Sequence, residues 1–196
     1  MGLSPTAFAA SLVGVSEVLL AYISYSYSKY PMLRDLKYFA YGLIMLAIKE
    51  VACGALCPDA PTHLSLGAFL EAFGLSLIVY SVAKILKLNI KYIIALVATL
   101  ALFSAVSLLV LPKGTILASI LFTFFMPFLL FLLFIKDYVI SRDKNLLFTS
   151  VSFLLYSFSF VLEAFLTSIR LEVLAINLSL LIKLTAIVTL MIAFFK

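Results

Sequence analysis

Six charged side chains stand inside long apolar stretches of this 196-residue sequence, and they are the residues best suited to chemistry. They are four glutamates and two lysines, namely Glu17, Lys49, Glu50, Glu71, Glu163 and Lys183. A charge near the centre of a bilayer costs roughly 2.5–3.5 kcal/mol on insertion scales, so each needs a partner or water. Because the acids outnumber the lysines, one-to-one ion pairing leaves some of the glutamates without a positive partner. This surplus predicts a site for a cation, a proton or an amine-bearing solute, formed by Glu17, Glu50, Glu71, Glu163 and Lys183.

The helical neighbours of these residues indicate which way the side chains face. Small residues such as Gly14 and Ala21 share a helical face with Glu17, and small residues let helices pack closely. Glu71 lies in the same way between Gly67 and Gly74. Glu163 and Lys183 also share their faces with small or hydroxyl residues. All four side chains are therefore expected to point into a helical bundle.

Depth can be read from the helical rise of about 1.5 Å per residue. It places Glu50, Glu71 and Glu163 about 7–10 Å below the outer surface, so the site is expected to open to the outside. Adjacent residues on a helix point about 100° apart, and only one of Lys49 and Glu50 is expected to share the site. The competing interpretation is that the charges form buried pairs that only fix helix register.

Seven apolar stretches, each of about 20 residues or more, must position these charges. With 65% hydrophobic and 12% charged residues, the chain cannot assemble a water-facing surface. We therefore expect an all-α fold, a polytopic integral membrane bundle that forms a single domain over residues 1–196. Its transmembrane helices are predicted at residues 5–28, 38–57, 64–86, 92–111, 115–135, 146–168 and 171–195.

Basic residues in the short loops predict the orientation, because Lys and Arg are retained on the cytoplasmic side. The first, third and fifth loops hold nine of them, whereas the other loops hold only Lys113 and Arg170. The N-terminus is thus expected outside the cell membrane and the C-terminus inside. The net charge of +5 then reports contact with anionic lipid headgroups and excludes a nucleic-acid partner. The predicted cytoplasmic anchors are Arg34, Lys87, Arg142 and Lys144.

A repeated motif suggests internal symmetry. The pair Arg34-Asp35 recurs as Arg142-Asp143, and each pair is followed within three residues by Lys. One interpretation is a 3+1+3 layout, with the fourth span as a linker between two repeats, as in some transporters. The other is a chance match in a sequence dominated by a few apolar residue types. The absence of Gln and Trp beside abundant Ile, Leu and Lys is typical of thermophilic proteins.

Two cysteines four residues apart belong to a second candidate site at the outer end of the second span. They could be plain small packing residues or form a disulfide. With the neighbouring Asp and His they could also bind a soft or borderline metal such as zinc or copper. The residues concerned are Cys53, Cys57, Asp59 and His63. A single His excludes bis-histidine haem ligation within this chain, so haem is not expected.

Lys183 in the seventh span, with Glu71 on the third span as counter-ion, resembles the plan of microbial rhodopsins. That resemblance implies retinal bound to Lys183. The sequence departs from the family because it has no Trp, and because Ser179 stands one turn before Lys183 in place of an acid.

The leading functional interpretation is a non-enzymatic membrane protein that binds or conducts a small cation, proton or polar solute. An alternative is an accessory subunit, whose partner would cover the uncharged fourth and fifth spans; membrane lipids would cover the rest. A sensory module that acts through Arg34, Lys87 and Lys144 on a separate partner is a third interpretation. An enzyme is the least favoured class, because the spans contain no Ser/His, paired Asp or multiple-His arrangement.

Overall fold

The computed structural model of the protein describes residues 5–52, 61–89, 91, 94, 98 and 114–195. These residues form six helices, a 3-10 turn and no strand, so the all-α prediction is confirmed. The helices are α1 (Pro5–Tyr27), α2 (Leu36–Lys49), α3 (Pro61–Ile85), α4 (Gly114–Ser141), α5 (Lys144–Ser168) and α6 (Glu172–Phe195). The 3-10 turn covers Pro31–Leu33, and α2 runs on into a π turn at residues 50–52.

Six of the seven predicted spans correspond to these helices. Within the fourth predicted span only residues 94 and 98 are described, and both are helical. The fifth predicted span ends too early: it stops at residue 135, just before the charged Lys136, whereas α4 continues to Ser141. A charged side chain does not end a helix by itself. The helix ends before Arg142, whose φ of 59° is left-handed and incompatible with a further α turn.

Several helices are long and apolar enough to cross a membrane. Among the described residues four segments meet this criterion: Pro5–Tyr27, Thr123–Ser141, Lys144–Glu163 and Val173–Phe194. Their mean hydropathies range from 1.7 to 2.2. Backbone groups in lipid must be paired internally, and helices of this length satisfy that requirement. The helices therefore indicate a membrane protein, while its orientation stays a prediction.

The six described helices form a closed ring in chain order. Each helix packs against the next, and α1 packs against α6 to complete the circle. Leucine and isoleucine side chains from α1, α2, α3 and α6 fill the middle, among them Leu20, Leu46, Ile78 and Ile187. The fifth predicted span, which was expected to face lipid or a partner, corresponds to α4 and forms one side of this ring. It packs against α3 and α5 and buries Met126, while Phe125, Leu132 and Val139 are exposed.

Glycines set the close approach of α2 to its neighbours. A Cβ atom on Gly42 would lie 2.5 Å from the Gly74 carbonyl oxygen, and one on Gly74 would lie 2.8 Å from that of Gly42. On the other side of α2, a Cβ on Gly14 would lie 2.8 Å from Val51 Cγ2. These contacts leave no room for a side chain. The Gly14 contact holds α1 against the end of α2 that carries Lys49, and the Gly42–Gly74 contact holds α3 against the middle of α2.

Candidate functional site: a buried Glu/Lys network

A series of ion pairs between acids and lysines links three helices at the centre of the ring. Lys183 Nζ on α6 lies 2.9 Å from Glu50 Oε1, and Lys49 Nζ lies 3.0 Å from the same oxygen. Lys49 Nζ also lies 3.7 Å from Glu71 Oε1 on α3. Glu50, Glu71 and Lys183 are buried, while 17% of the Lys49 side chain is exposed. We call the six charged residues the charged network. Ion pairs join four of them, Glu71, Lys49, Glu50 and Lys183, and the other two, Glu17 and Glu163, lie beside these four.

Lys49 belongs to the site, and the expectation that only one of Lys49 and Glu50 would share it is wrong. The Lys49 ammonium donates a hydrogen bond to the carboxylate of its own neighbour, Glu50. Its flexible four-carbon stem lets the ammonium reach round the helix, and the π turn that begins at Glu50 departs from the α-helical spacing behind the prediction. The length of the lysine side chain was the one signal in the sequence that could have predicted this.

Glu17 on α1 is completely buried, with an exposed fraction of 0%. Its Oε1 accepts a hydrogen bond of 3.3 Å from the hydroxyl of Tyr156 on α5. Its Oε2 has no hydrogen-bond partner among the described residues, and the same is true of Ser24 Oγ two turns further along α1. Glu17 also interacts electrostatically with Glu50, Lys49 and Lys183. A buried carboxylate oxygen without a partner is costly, so this atom is a candidate contact for a ligand.

Glu163 on α5 lies at the edge of the network. Its Oε2 accepts a hydrogen bond of 2.7 Å from the hydroxyl of Ser179 on α6. It also interacts electrostatically with Lys49. Ser179 and Tyr156 were not among the predicted site residues, although both lie on the faces of Lys183 and Glu163 that the sequence indicated. They show that hydroxyl groups, and not further lysines, hold the two outlying glutamates.

Aromatic rings surround the ammonium group of Lys183. Its Nζ lies 4.5 Å from the ring centroid of Phe160 and 6.0 Å from that of Tyr156, within the range of cation–π attraction. Its carboxylate partner is Glu50, and not Glu71 as the resemblance to microbial rhodopsins implies. The cavity that reaches Tyr156 has a volume of about 20 Å³, room for about one water molecule. A retinal linkage at Lys183 stays an expectation of that resemblance.

The charges of the network do not cancel when all six groups are ionised. Glu71, Lys49, Glu50 and Lys183 form a neutral set of two acids and two lysines. Glu17 and Glu163 are then held by uncharged hydroxyls. Glu17 is completely buried, where an uncompensated carboxylate is unfavourable, and a proton or a cation would relieve it; Glu163 is partly exposed. The surplus expected from the sequence therefore falls on these two residues.

A cavity of about 310 Å³ lies at one end of the ring. It is lined by residues of all six described helices, among them Tyr27, Phe39, Phe134, Thr149 and Leu190. The predicted anchors Arg34, Lys87, Arg142 and Lys144 are exposed at this same end, which we call the basic end. In the charged network Glu17, Glu50, Glu71 and Lys183 are buried, whereas Lys49 and Glu163 are partly exposed. Residues 53–60 lie outside the described residues, and the outward opening expected from the sequence stays a prediction.

The second candidate site lies mostly outside the part of the chain that the structure describes. Cys53, Cys57 and Asp59 are not among the described residues, and only the backbone of His63 is, in the first turn of α3. Among the residues that are described, no group of three or more His, Cys, Asp or Glu side chains is arranged to hold a metal ion. The alternatives of packing residues, disulfide and metal site therefore stay predictions.

Comparison with known proteins gives no family for this chain. No protein-family model matches it, and neither a curated protein nor a solved structure does. The geometry of the charged network is thus the basis for a functional interpretation.

Proposed function

We propose that this chain is a multi-pass protein of the cell membrane that binds a small cationic solute or a proton at the charged network and conducts it across the bilayer. The observation that supports this most directly is Glu17, completely buried with one carboxylate oxygen unpartnered. Intramembrane ionisable residues of this kind usually mark a substrate or ion pathway. Four acids and two lysines give the site the negative charge that a cation requires.

Seven transmembrane helices, with the N-terminus outside and the C-terminus inside, form part of this proposal. The ends of α3 and α4, represented by Leu86 and Phe134, line the same cavity, so these two helices run in the same direction. In the proposal the chain between residues 86 and 113 returns across the thickness of the bundle. The predicted fourth span, residues 92–111, is apolar enough to do so in lipid. Positive charge at the basic end favours placing that end in the cytoplasm.

The ring order suits the 3+1+3 layout, which we include in the proposal. A two-fold axis along the ring would exchange α1–α3 with α4–α6, and the two Arg-Asp pairs would fall in equivalent turns. The charged network then lies between the halves. Glu17, Lys49, Glu50 and Glu71 come from the first half, and Tyr156, Glu163, Ser179 and Lys183 come from the second. Transporters built from repeats bind their substrates in such a position.

In this proposal a cation would enter beside Glu17 and Glu163 and neutralise the surplus carboxylates. The four ion-paired residues, Glu71, Lys49, Glu50 and Lys183, would stay as the fixed, neutral part of the site. Movement of one half of the ring against the other would expose the bound cation alternately at the two ends. The purely structural alternative is that the network only fixes helix register, and that Glu17 and Glu163 remain permanently protonated.

Conversion of the two outlying glutamates to glutamine separates these alternatives. In proteoliposomes loaded with a pH dye, we expect uptake of radiolabelled methylammonium, rubidium ion or protons to fall about tenfold or more in Glu17→Gln and in Glu163→Gln. Asp137→Asn, the same change in a turn of α4 outside the network, should keep full uptake. Equal uptake in all four proteins, or none in the parent protein, would leave only a structural role.

An accessory subunit of a larger membrane complex is a second candidate, favoured by one observation. In the most apolar window of α4 only 22% of the residues are buried, against 39% in each of the other three candidate spans. A partner could cover this outer face, which exposes Phe125, Leu132 and Val139. Purification in a mild detergent discriminates the two candidates, because a subunit would carry a second chain in a fixed ratio.

A further inference from the structure

We infer that the basic end carries a second binding site, for an organic anion whose apolar body is a compact ring system of about ten carbon atoms. The site is the cavity of about 310 Å³, with Arg34 and Lys87 at its mouth. This inference is independent of the proposed function, because it involves no residue of the charged network. It rests on the shape of the cavity, on the chemistry of its walls and on the charge around its mouth.

The cavity is short and broad. On α6 its lining runs from Leu190 to Phe194, a rise of about 6 Å, and on α3 it runs only from Val82 to Leu86. A volume of about 310 Å³ over so short a depth requires a wide cross-section. A methylene group fills roughly the same space as a water molecule, roughly 30 Å³, so the cavity holds roughly ten such groups. A compact ring system fits these dimensions better than an extended acyl chain.

Aromatic and aliphatic side chains form most of the wall. The ring centroid of Phe194 lies 6.3 Å from that of Tyr27 and 6.2 Å from that of Phe39, and all three rings line the cavity. Thr149 is polar, but its hydroxyl already donates a hydrogen bond of 2.8 Å to the Asn145 carbonyl oxygen. An inorganic anion such as phosphate would lose its water here and meet few donors in return. A ring system gains from burial against the same walls and can pack on their aromatic faces and edges.

Positive charge surrounds the mouth of this cavity. The nine basic residues of the first, third and fifth predicted loops stand against three acids, Asp35, Asp137 and Asp143. Within the described ranges of the chain, no ion pair joins these acids to the nine basic residues. The positive field is therefore not cancelled locally. It draws anions toward this end of the bundle and works against cations.

Arg34 and Lys87 are the residues best placed to hold the anionic group. They directly follow the lining residues Leu33 and Leu86, at about 3.8 Å between successive Cα atoms. Both are exposed, and neither side chain makes a hydrogen bond, ion pair or ring contact with another described residue. Their charged groups can therefore bind a carboxylate at the mouth, while the apolar body of the ligand fills the cavity.

The chain contains no tryptophan, which gives a direct assay for this site. Phe194→Trp places a single fluorophore in the cavity wall. Phe158→Trp is the matched control, because Phe158 lies on α5 away from the cavity and is 52% exposed. Both variants are titrated with 2-naphthoate in nanodiscs of phosphatidylcholine. We expect saturable quenching of the fluorescence in Phe194→Trp and none that saturates in Phe158→Trp.

The role of charge is tested from the side of the ligand and from the side of the protein. 2-Naphthylmethylamine and 2-naphthalenemethanol share the ring system of 2-naphthoate but are cationic and neutral. We expect 2-naphthoate to bind about tenfold or more tightly than either, and its affinity to fall as salt is added. In the Phe194→Trp chain, Arg34→Gln/Lys87→Gln should weaken its binding about tenfold. Arg170→Gln removes an exposed arginine between α5 and α6, at the opposite end of the ring, and should change binding by less than about twofold.

Equal quenching in Phe194→Trp and Phe158→Trp would mean partition into lipid only and would overturn the inference. Equal affinity for the cationic and anionic probes, or no effect of Arg34→Gln/Lys87→Gln, would overturn it as well. Anionic phospholipid that stays with the purified protein in a fixed ratio and prevents quenching would make the occupant a lipid, which is also contrary to the inference. Each of these results would leave the proposed function standing, because uptake of cations at the charged network is measured separately.

Discussion

Glu50→Gln is expected to lower the free energy of unfolding by about 3–5 kcal/mol, the usual cost of breaking a buried ion pair from one side. Glu50 Oε1 is the shared acceptor of Lys49 and Lys183, at 3.0 and 2.9 Å. An uncharged amide would leave Lys183 buried without a carboxylate within reach, whereas Lys49 would keep Glu71. The change can be measured by reversible unfolding in mixed detergent and dodecyl sulfate micelles.

Two variants make this measurement specific to the charge. Glu163→Gln is the matched control, since its amide oxygen can still accept the hydrogen bond of Ser179; we expect a loss of about 1 kcal/mol or less. In the double variant Glu50→Gln/Lys183→Met the unpaired ammonium is gone, and most of the lost stability should return. If Glu50→Gln is no more destabilising than Glu163→Gln, the central ion chain does not hold α2 to α6.

Gly42→Val is expected to have the second large effect, on the fold and the site at once. A Cβ at Gly42 would lie 2.5 Å from the Gly74 carbonyl oxygen and 2.6 Å from Ile78 Cγ1. Backbone cannot yield as a flexible side chain can, so α2 and α3 must separate. We expect a loss of about 3 kcal/mol, at the upper end of the range for overpacking. The Lys49–Glu71 contact, at 3.7 Å, should be lost with it, and cation binding should fall in the same variant.

Ile44→Val provides the control for that variant. Ile44 lies on α2 two residues away and is 39% exposed, so the change should shift stability by about 0.5 kcal/mol or less. Thermal unfolding, together with methylammonium uptake in proteoliposomes, would give both readouts. Parent-like values for Gly42→Val would mean that α2 and α3 do not meet at their glycines.

The sequence was a good guide to the helices and to the direction of the charges. Continuous apolar runs can be satisfied in lipid only by helices, which is why the all-α class could be predicted. The small residues beside Glu17 and Glu71 indicated that their carboxylates point inward, because a helix face needs small side chains where another helix packs closely against it. These are local properties, and local properties can be read from spacing.

The parts that could not be predicted depend on contacts between distant residues. Lys49 enters the network because of its side-chain reach and a π turn, neither of which a regular helical projection contains. The Tyr156–Glu17 and Ser179–Glu163 hydrogen bonds depend on the relative rotation of whole helices. The place of α4 in the ring follows from packing against α3 and α5, and the absence of charge from its predicted span, residues 115–135, gave no indication of it.

Closure of the ring by α1 and α6 has a consequence for biogenesis. The two helices are neighbours although the residues that join them, Thr6 and Asn177, lie 171 positions apart in the sequence, with a hydrogen bond of 3.1 Å. Lys183 is likewise synthesised 133 residues after Glu50, and until then Glu50 has Lys49 alone. The nascent chain must shelter Glu50 over that interval. A chain ended after Ser168 should accordingly be degraded by membrane proteases faster than a chain that includes α6 in a pulse-chase measurement.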